Sequence, residues 1–189
     1  REGAYSATPY SSNESAYTAK DYSGALPEFA YARQKAAESA KPPYVSEAIS
    51  LVGMMLENGI KLEYFEQPCQ TIAELAEFKH LLRRYSDSVK VAADESVRKV
   101  SDPLAVALAG AADILVLKAA PLGGIRRTLD IAREAGLPVV VSSALDTSVG
   151  ISMGLHLAGA LPDLTYECGL GTAAMFIGDV TKEPLIAKD

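Results

Sequence analysis

The sequence predicts an α/β fold, a partial (β/α) barrel with parallel strands and outer helices. Short apolar runs alternate with helical stretches from residue 61 onward, which is typical of a parallel sheet. The runs are continuously apolar, such as ILVL at 114–117 and VVV at 139–141, which indicates strands buried on both faces. Charged residues close three of these runs at intervals of 28 and 24 residues, the length of one strand, one helix and their loops.

The amino-terminal region, residues 1–45, is predicted to be an irregular arm followed by a helix. Ser, Tyr, Ala and Gly are frequent in residues 1–27 and show little periodicity. Strong helix formers occupy residues 27–40, with Pro27 in the first turn and Pro42-Pro43 as a stop. The region therefore differs in character from the regular alternation that follows it.

Residues 46–189 are predicted to form the barrel portion. A Ser46 cap and Gly59 bound a first helix over 46–58. Thr71 and Glu74 form a capping box, and Gly110 and Gly136 stand where helix ends favour positive φ. The remaining helices are expected at 71–85, 102–109, 125–135 and 149–160, and the strands at 62–66, 90–94, 114–118, 138–142 and 164–168.

The composition excludes several classes of function. The chain has 189 residues, 49% of them hydrophobic, which suits one domain with a proper core. The net charge of −6, with dispersed basic residues, argues against nucleic acid as a partner. We expect no membrane span and no export signal, because the apolar runs are short and the amino terminus lacks a leader pattern. With two distant cysteines, a reducing cytoplasm is the predicted location.

Three charged side chains stand at the ends of successive predicted strands. Glu66 closes the first run, Asp94 the second and Lys118 the third. Because parallel strands end at one edge of a sheet, these side chains should meet there, where α/β enzymes place their chemistry. Two carboxylates and an amine suggest a metal-assisted site. Taken alone, each acidic residue could also cap the next helix.

Other polar residues favour structural roles. His80 and His156 lie in predicted helices and have no partner at metal-ligand spacing. Asp146 is interpreted as an acceptor within its loop. Gly123 and Gly124 precede a helix as a phosphate cradle would, but the Lys-Ser/Thr of a P-loop is missing. Nucleotide binding is therefore not expected.

Five motifs occur in order along the chain: YFEQP at 64–68, AADES at 92–96, LKAAPLGG at 117–124, SSALDTSVG at 142–150 and GLGT at 169–172. Together they resemble the enolase superfamily, and most of all its o-succinylbenzoate synthase family. The resemblance covers residues 46–180 and implies a modified barrel of the enolase type beneath a capping region. Residues 1–45 could then be a remnant of that cap.

The resemblance also implies roles for individual residues. Glu66 and Asp94 match two Mg²⁺ ligands of the family, and Lys118 matches a catalytic lysine that faces an enediolate. Substrate-binding residues are implied at the turns that line the pocket, namely Ser142, Ser143, Gly123 and Gly124. The implied reaction is Mg²⁺-assisted dehydration of a cyclohexadiene carboxylate in menaquinone biosynthesis. Related dipeptide epimerases and N-acylamino-acid racemases share these groups, so the small-molecule carboxylate substrate stays open.

The sequence departs from the family pattern in its amino third. The Lys-x-Lys motif with the other catalytic lysine has no counterpart, since Lys20 lacks that context, and the first metal ligand is missing where residues 41–44 read KPPY. The chain is thus interpreted as a truncated, rearranged or altered member. An enzyme and a catalytically incompetent barrel that self-associates through its open edges both remain open. So does an open flavodoxin-like sheet.

Overall fold

The computed structural model describes residues 43–186, so the predictions for residues 1–42 lie outside it. Helices and parallel strands alternate along this part of the chain, as the sequence predicts. The elements are α1 (Pro43–Glu57), β1 (Tyr64–Glu66), α2 (Ile72–Leu82), β2 (Lys90–Ala93), α3 (Asp102–Leu108), β3 (Ile114–Leu117), α4 (Ile125–Ala135), β4 (Val139–Val141) and α5 (Ser148–Ala160), with 3₁₀ turns at Glu95–Val97 and Thr172–Met175.

The four strands form one parallel sheet in the order β1-β2-β3-β4. Each strand pairs with the next one along the chain, with Glu66 opposite Ala92 and Leu117 opposite Val141. A flavodoxin-like sheet would reverse its strand order at a switch point. The sequential order therefore contradicts that alternative and confirms the predicted α/β architecture of a barrel segment.

The two faces of the sheet bury different sets of side chains. The face towards the helices carries the larger core, in which Leu115 and Leu117 of β3 pack with Phe78 of α2 and other residues. The opposite face holds a smaller cluster of Ala92, Ile114, Val116 and Val140, against which Tyr64 and Tyr166 pack. Alternation along each strand produces this division. We call the face of the smaller cluster the inner face, and none of the residues of that cluster belongs to a helix in the part of the chain that the structure describes.

Two tyrosines bridge the inner face. Tyr64 of β1 and Tyr166, which follows α5, meet edge to face with ring centroids 5.7 Å apart at 85°. This is the geometry that aromatic pairs favour. Because β1 is the first strand of the described sheet and Tyr166 comes after the last one, the pair spans the inner face.

The helix ends agree with the sequence to within one residue, except at the start of α1 and at the end of α2, which stops at Leu82 and not at Tyr85. The capping box between Thr71 and Glu74 is present, and Gly136 ends α4 in the left-handed conformation at φ 67. However, α1 begins at Pro43, so the predicted cap Ser46 lies inside the helix. Val45 explains the difference, because its side chain is buried and extends the apolar face by one turn.

The predicted strand at 164–168 does not form. Only Gly169 pairs with the sheet, through an isolated parallel bridge to Ser142 beyond the end of β4. Leu164, Thr165 and Glu167 are exposed, and although Tyr166 and Cys168 pack against the cores, none of the five residues pairs with a strand. None of the helices within residues 43–186 combines the length and apolar character needed to span a bilayer.

Candidate active site

The charged strand ends gather at one edge of the sheet, as the sequence predicts. Glu66 is the last residue of β1, Asp94 directly follows β2 and Lys118 directly follows β3. Side chains two positions apart on a strand lie on the same face of the sheet. Asp94 is two positions after Ala92, and Lys118 is two positions after Val116, and both earlier residues belong to the inner cluster. The three residues thus lie above the inner cluster, at the carboxyl edge.

Asp94 and Lys118 form an ion pair. The Lys118 ammonium donates to Oδ1 of Asp94, and the two side chains are only 10% and 13% exposed. A charge-assisted hydrogen bond is stronger in such a poorly hydrated place than at the surface. This contact holds the ammonium at the rim and shows that two of the predicted residues converge.

Glu66 interacts electrostatically with both Asp94 and Lys118. Its pKa is raised, first by desolvation and then by the charge of Asp94, while Lys118 acts in the opposite direction. The carboxyl group is therefore within electrostatic reach of both other residues, although its residue is exposed to solvent. Two carboxylates that repel each other at one rim would be stabilised by a cation between them.

The donor set fits Mg²⁺ in its chemistry. Mg²⁺ prefers hard oxygen ligands and is commonly held by one or two carboxylates, with water and substrate oxygens completing its shell. Glu66 and Asp94 supply two such groups. Within residues 43–186 no cluster of three or more His, Cys, Asp or Glu residues could hold a metal ion. The assignment of these two carboxylates as metal ligands stays a prediction.

Gly123 and Gly124 form the turn between β3 and α4. Both have positive φ, 91 and 99, which glycine adopts without strain. Their amides are used within the turn, because Gly123 donates to the Ala120 carbonyl at 3.2 Å and Gly124 to the Ala119 carbonyl at 2.8 Å. These glycines shape the loop that follows Lys118. Their predicted contact with substrate remains untested.

Ser142 and Ser143 take different positions after β4. Ser142 continues the inner-face positions of Val140 and is partly exposed, with a long 3.4 Å hydrogen bond to the Gly169 carbonyl. Ser143 is buried, and its hydroxyl donates to Gly169 at 2.9 Å and lies 2.8 Å from Thr172 Oγ1. Ser143 therefore anchors the following loop. Of the two, Ser142 is better placed to face a ligand.

Two residues near the site were missed as functional candidates by the sequence reasoning. Gln67, directly after Glu66, hydrogen-bonds the loop that carries Asp94. Tyr64 lies two positions before Glu66 on the same face, and its pKa is raised by burial and then by Glu66. Alternation along the strand could have indicated Tyr64. No local pattern predicts the partners of Gln67.

The remaining minor candidates behave as predicted. Asp146 accepts a hydrogen bond from the Ala144 amide at 3.0 Å, so it is a loop acceptor. His80 lies in α2 and His156 in α5, where Nδ1 of His156 is 2.7 Å from the Ser152 carbonyl one turn earlier.

A family model described as Enolase C-terminal domain-like matches residues 42–189. The chain belongs to this family. The match begins one residue before the helix α1 and leaves out residues 1–41. The superfamily resemblance of the strand-end motifs is thereby confirmed.

Named relatives and solved structures agree with this membership. The chain is 57% identical over 138 residues to an o-succinylbenzoate synthase of Mycobacterium tuberculosis (strain ATCC 25618 / H37Rv), covering 73% of the chain and 40% of the relative. Muconate cycloisomerase from Pseudomonas fluorescens is similar in structure, with TM-score 0.64, 27% identity and coverage of 77% of the chain and 40% of that protein. Muconate lactonizing enzyme from Pseudomonas putida gives TM-score 0.62, 30% identity and coverage of 74% and 38%.

The chain thus spans about 40% of the length of the curated relatives it matches. This enolase-family segment contains the strands that end in Glu66, Asp94 and Lys118. The part of the predicted pattern with no counterpart in this sequence, the first metal ligand and the Lys-x-Lys motif, would lie in the amino third.

Proposed function

We propose that this enolase-family segment belongs to an o-succinylbenzoate synthase, a lyase that eliminates water from a cyclohexadiene carboxylate with the help of Mg²⁺. The observation that supports this most is the Asp94–Lys118 ion pair at the same rim as Glu66. Such an elimination uses carboxylates that hold a cation and an ammonium that faces the developing enediolate. The 57% identity to a named o-succinylbenzoate synthase supports the choice of reaction.

Each charged residue has a distinct task in this proposal. Glu66 and Asp94 would hold Mg²⁺, which when bound supplies positive charge that stabilises the negative charge developing on the substrate carboxylate. Lys118 would face the enediolate, and its ammonium would stabilise the negative charge that develops there as the α-proton is removed. Its ion pair with Asp94 fixes where the ammonium lies before substrate arrives.

The substrate would lie over the inner face of the sheet. Ser142, partly exposed above Val140, would offer a hydroxyl to a second polar group of the substrate. The turn at Gly123 and Gly124 would border the pocket beside Lys118, and the buried Ser143 would contribute by holding the Gly169 loop. Gly169 leaves space beside Ser142, since a β-carbon there would come within 3.0 Å of the Ser142 hydroxyl.

Turnover assays with matched lysine variants test the reaction. We expect the chain to convert a hydroxycyclohexadiene carboxylate to the aromatic product, followed by ultraviolet absorbance. Lys118→Ala should lower the rate at least about 100-fold, because a group that stabilises the developing negative charge contributes that much. Lys99→Ala, an exposed lysine after β2, should leave it unchanged. Chelation of Mg²⁺ should abolish turnover, and activity that survives both chelation and Lys118→Ala would refute the proposal.

A second candidate is a catalytically incompetent barrel segment that self-associates. Its support is that the described residues contain no cluster of three or more His, Cys, Asp or Glu residues that could hold a metal ion, and that β1 stands at the edge of the described sheet. Unpaired strand edges favour pairing with another copy. Sedimentation with and without Mg²⁺ separates the two candidates, because a metal-indifferent dimer without turnover supports the scaffold alone.

The named relatives also suggest a biological setting. We propose a role in menaquinone biosynthesis in the cytoplasm, with a small carboxylate as substrate. Dipeptide epimerases and N-acylamino-acid racemases of the superfamily would use the same charged groups on other carboxylates. Incubation with a dipeptide or an N-acylamino acid in deuterated water distinguishes them, since racemisation exchanges the α-proton and releases no water.

A further inference from the structure

The amide side chain of Gln67 joins the two loops that follow β1 and β2. Its Oε1 accepts hydrogen bonds from the amides of Asp94 at 2.9 Å and Ser96 at 3.2 Å. Its Nε2 donates to the Ser96 hydroxyl at 2.7 Å and to the Cys69 carbonyl at 2.8 Å. Two donors and two acceptor positions of the amide are thus all used.

The partners of Gln67 determine which way its amide points. The Asp94 and Ser96 amides can only donate, so the oxygen must face them, and the Cys69 carbonyl can only accept, so the nitrogen must face it. Among side chains of this length, only the amide of glutamine both accepts two hydrogen bonds at one atom and donates two at the other. A hydrophobic residue of the same size would leave two backbone N–H groups and a carbonyl without these partners.

The backbone of Gln67 is also unusual. Its φ is +40, a left-handed conformation that non-glycine residues rarely adopt. The main-chain N–H of Gln67 still donates to the Ala92 carbonyl at 2.9 Å, which extends the pairing of β1 with β2 by one residue. Strained backbone of this kind persists where surrounding contacts hold it and is frequent at functional sites.

We propose that Gln67 is a positioning residue that sets the separation of the Glu66 and Asp94 carboxylates and thereby the affinity for Mg²⁺. Gln67 directly follows Glu66 and binds the main-chain amide of Asp94, so it links the two carboxylates through few rotatable bonds. The Asp94 side chain makes no cap bond to the 3₁₀ turn that follows it, so it does not fix its own loop in that way. This inference rests on the proposed Mg²⁺ site.

Calorimetric titration with Mg²⁺ tests the inference without any turnover. Partners behind metal ligands typically contribute 10- to 100-fold to metal affinity. Gln67→Met, which keeps the length and loses all four hydrogen bonds, should therefore weaken Mg²⁺ binding by about tenfold or more. Gln70→Met, an exposed glutamine three residues later, is the matched control and should bind Mg²⁺ as the parent does.

Two further variants separate positioning from general stability. Ser96→Ala removes the hydroxyl contact and leaves the bond from the Asp94 amide to Gln67, so it should change Mg²⁺ affinity less than about threefold. Ile131→Val removes a buried methylene group in α4, away from the rim, and lowers the stability of the fold. At a loss of melting temperature similar to that of Gln67→Met, it should leave the Mg²⁺ affinity unchanged. Equal Mg²⁺ affinity of Gln67→Met and the parent chain would overturn the inference.

Hydrogen exchange distinguishes failure of the inference from failure of the proposed function. The Asp94 and Ser96 amides should be protected in the parent chain and exchange at least tenfold faster in Gln67→Met, with or without Mg²⁺. If the parent binds no Mg²⁺ but this protection depends on Gln67, the metal site fails and the positioning role stands. If the protection does not depend on Gln67, the positioning role is refuted even where Mg²⁺ binds.

Discussion

Glycines inside helices show how a single β-carbon can change stability in either direction. Gly53 in α1 has space, because an added β-carbon would meet only Cε1 of Tyr85 at 3.9 Å. Gly150 in α5 has none, because an added β-carbon would lie 2.6 Å from Cβ of Asp146. Asp146 is held in place by the Ala144 amide, so it cannot move away without losing that hydrogen bond.

We therefore predict opposite effects for two alanine substitutions. Gly53→Ala should raise the free energy of unfolding by about 0.5–1 kcal/mol, the usual gain of alanine over glycine in a helix. Gly150→Ala should lower it by about 1–3 kcal/mol, the range for overpacking. Urea denaturation measures both. In an Asp146→Gly background the clash is gone, and Gly150→Ala should then stabilise; continued destabilisation there would contradict the explanation.

The residues of the candidate site differ in how far the sequence could reveal them. Glu66, Asp94 and Lys118 each follow an apolar run, so a local pattern predicted that they share one edge. Gln67 and Gly150 depend on contacts that no local pattern encodes. Gln67 binds residues 27 and 29 positions away, and Gly150 is needed because a loop folds back on its helix. Long-range packing decides such roles.

At the scale of elements, two helices begin with threonine caps that work differently. Thr71 accepts from the Glu74 amide at 3.2 Å, while Glu74 accepts from the Thr71 amide at 2.9 Å. Thr147 stands at the same position before α5 but makes no such side-chain bond. The sequence alone predicts the first cap, because only Thr71 has a glutamate three residues later.

Alanine at each cap position should separate these cases. Thr71→Ala is expected to lower the free energy of unfolding by about 1 kcal/mol, the typical value of a helix cap. Thr147→Ala should change it by less than about 0.5 kcal/mol, as for a surface site without special contacts. Thermal unfolding followed by circular dichroism gives both values, and equal effects would show that capping does not determine them.

Asp113 links α2 to the strands at the amino edge of the sheet. It pairs with Lys79 at 2.9 Å and Arg83 at 2.7 Å, and accepts from the Val91 amide at 2.9 Å. Burial alone would raise its pKa, but the hydrogen bonds from Lys79 and Val91 and the two positive charges outweigh burial, so the pKa is lowered. A lowered pKa in the folded state means that the ionised group stabilises the fold.

Stability should therefore depend on pH through Asp113. Its contribution is present above the pKa of an unfolded aspartate and is lost as the pH falls through the lower folded pKa. Asp113→Asn should cost about 1.5–3 kcal/mol at pH 7, the range for hydrogen bonds to charged groups. The difference between parent and variant should shrink in acid, as measured by urea denaturation from pH 7 to pH 2. A constant difference across that range would exclude this cause.

The fifth predicted strand shows the limit of pattern reading at the element scale. Residues 164–168 alternate in character as a strand would, yet most of their side chains are exposed and only Gly169 pairs with β4. A strand requires a hydrogen-bonding partner strand, and among the described residues only Gly169, just beyond the segment, bridges to the sheet. Of the four strands that do form, β2, β3 and β4 carry buried apolar runs, whereas β1 is only partly buried.

At the scale of the whole molecule, the segment after α5 is tied back to the start of that helix. Asp179 accepts from the amide of Ser148 at 2.9 Å and from its hydroxyl at 2.7 Å. The Ser148 hydroxyl in turn accepts from the Leu185 amide at 2.7 Å, and Ser148 is buried. Asp179 thus supplies from 31 residues away the cap that Thr147 does not provide, at the end where a carboxylate is favoured by the helix dipole.

The hydrogen bonds between Asp179 and Ser148 predict that the segment after α5 detaches when Asp179 is lost. Asp179→Ala should free residues 176–186, so trypsin should cleave after the exposed Lys182 at least about threefold faster than in the parent chain, because local opening controls cleavage. Asp163→Ala, another exposed aspartate, should leave the cleavage rate unchanged.

The contact between Asp179 and Ser148 should also depend on pH. The pKa of Asp179 is lowered chiefly by the hydrogen bond from the Ser148 hydroxyl, so the contact is fully present above the pKa of an ordinary aspartate. It weakens only as the pH falls through the lower pKa of the folded state. Hydrogen exchange of residues 176–186 should accordingly converge between parent and Asp179→Ala in acid, and a difference that persists at pH 2 would mean that another contact holds this segment to α5.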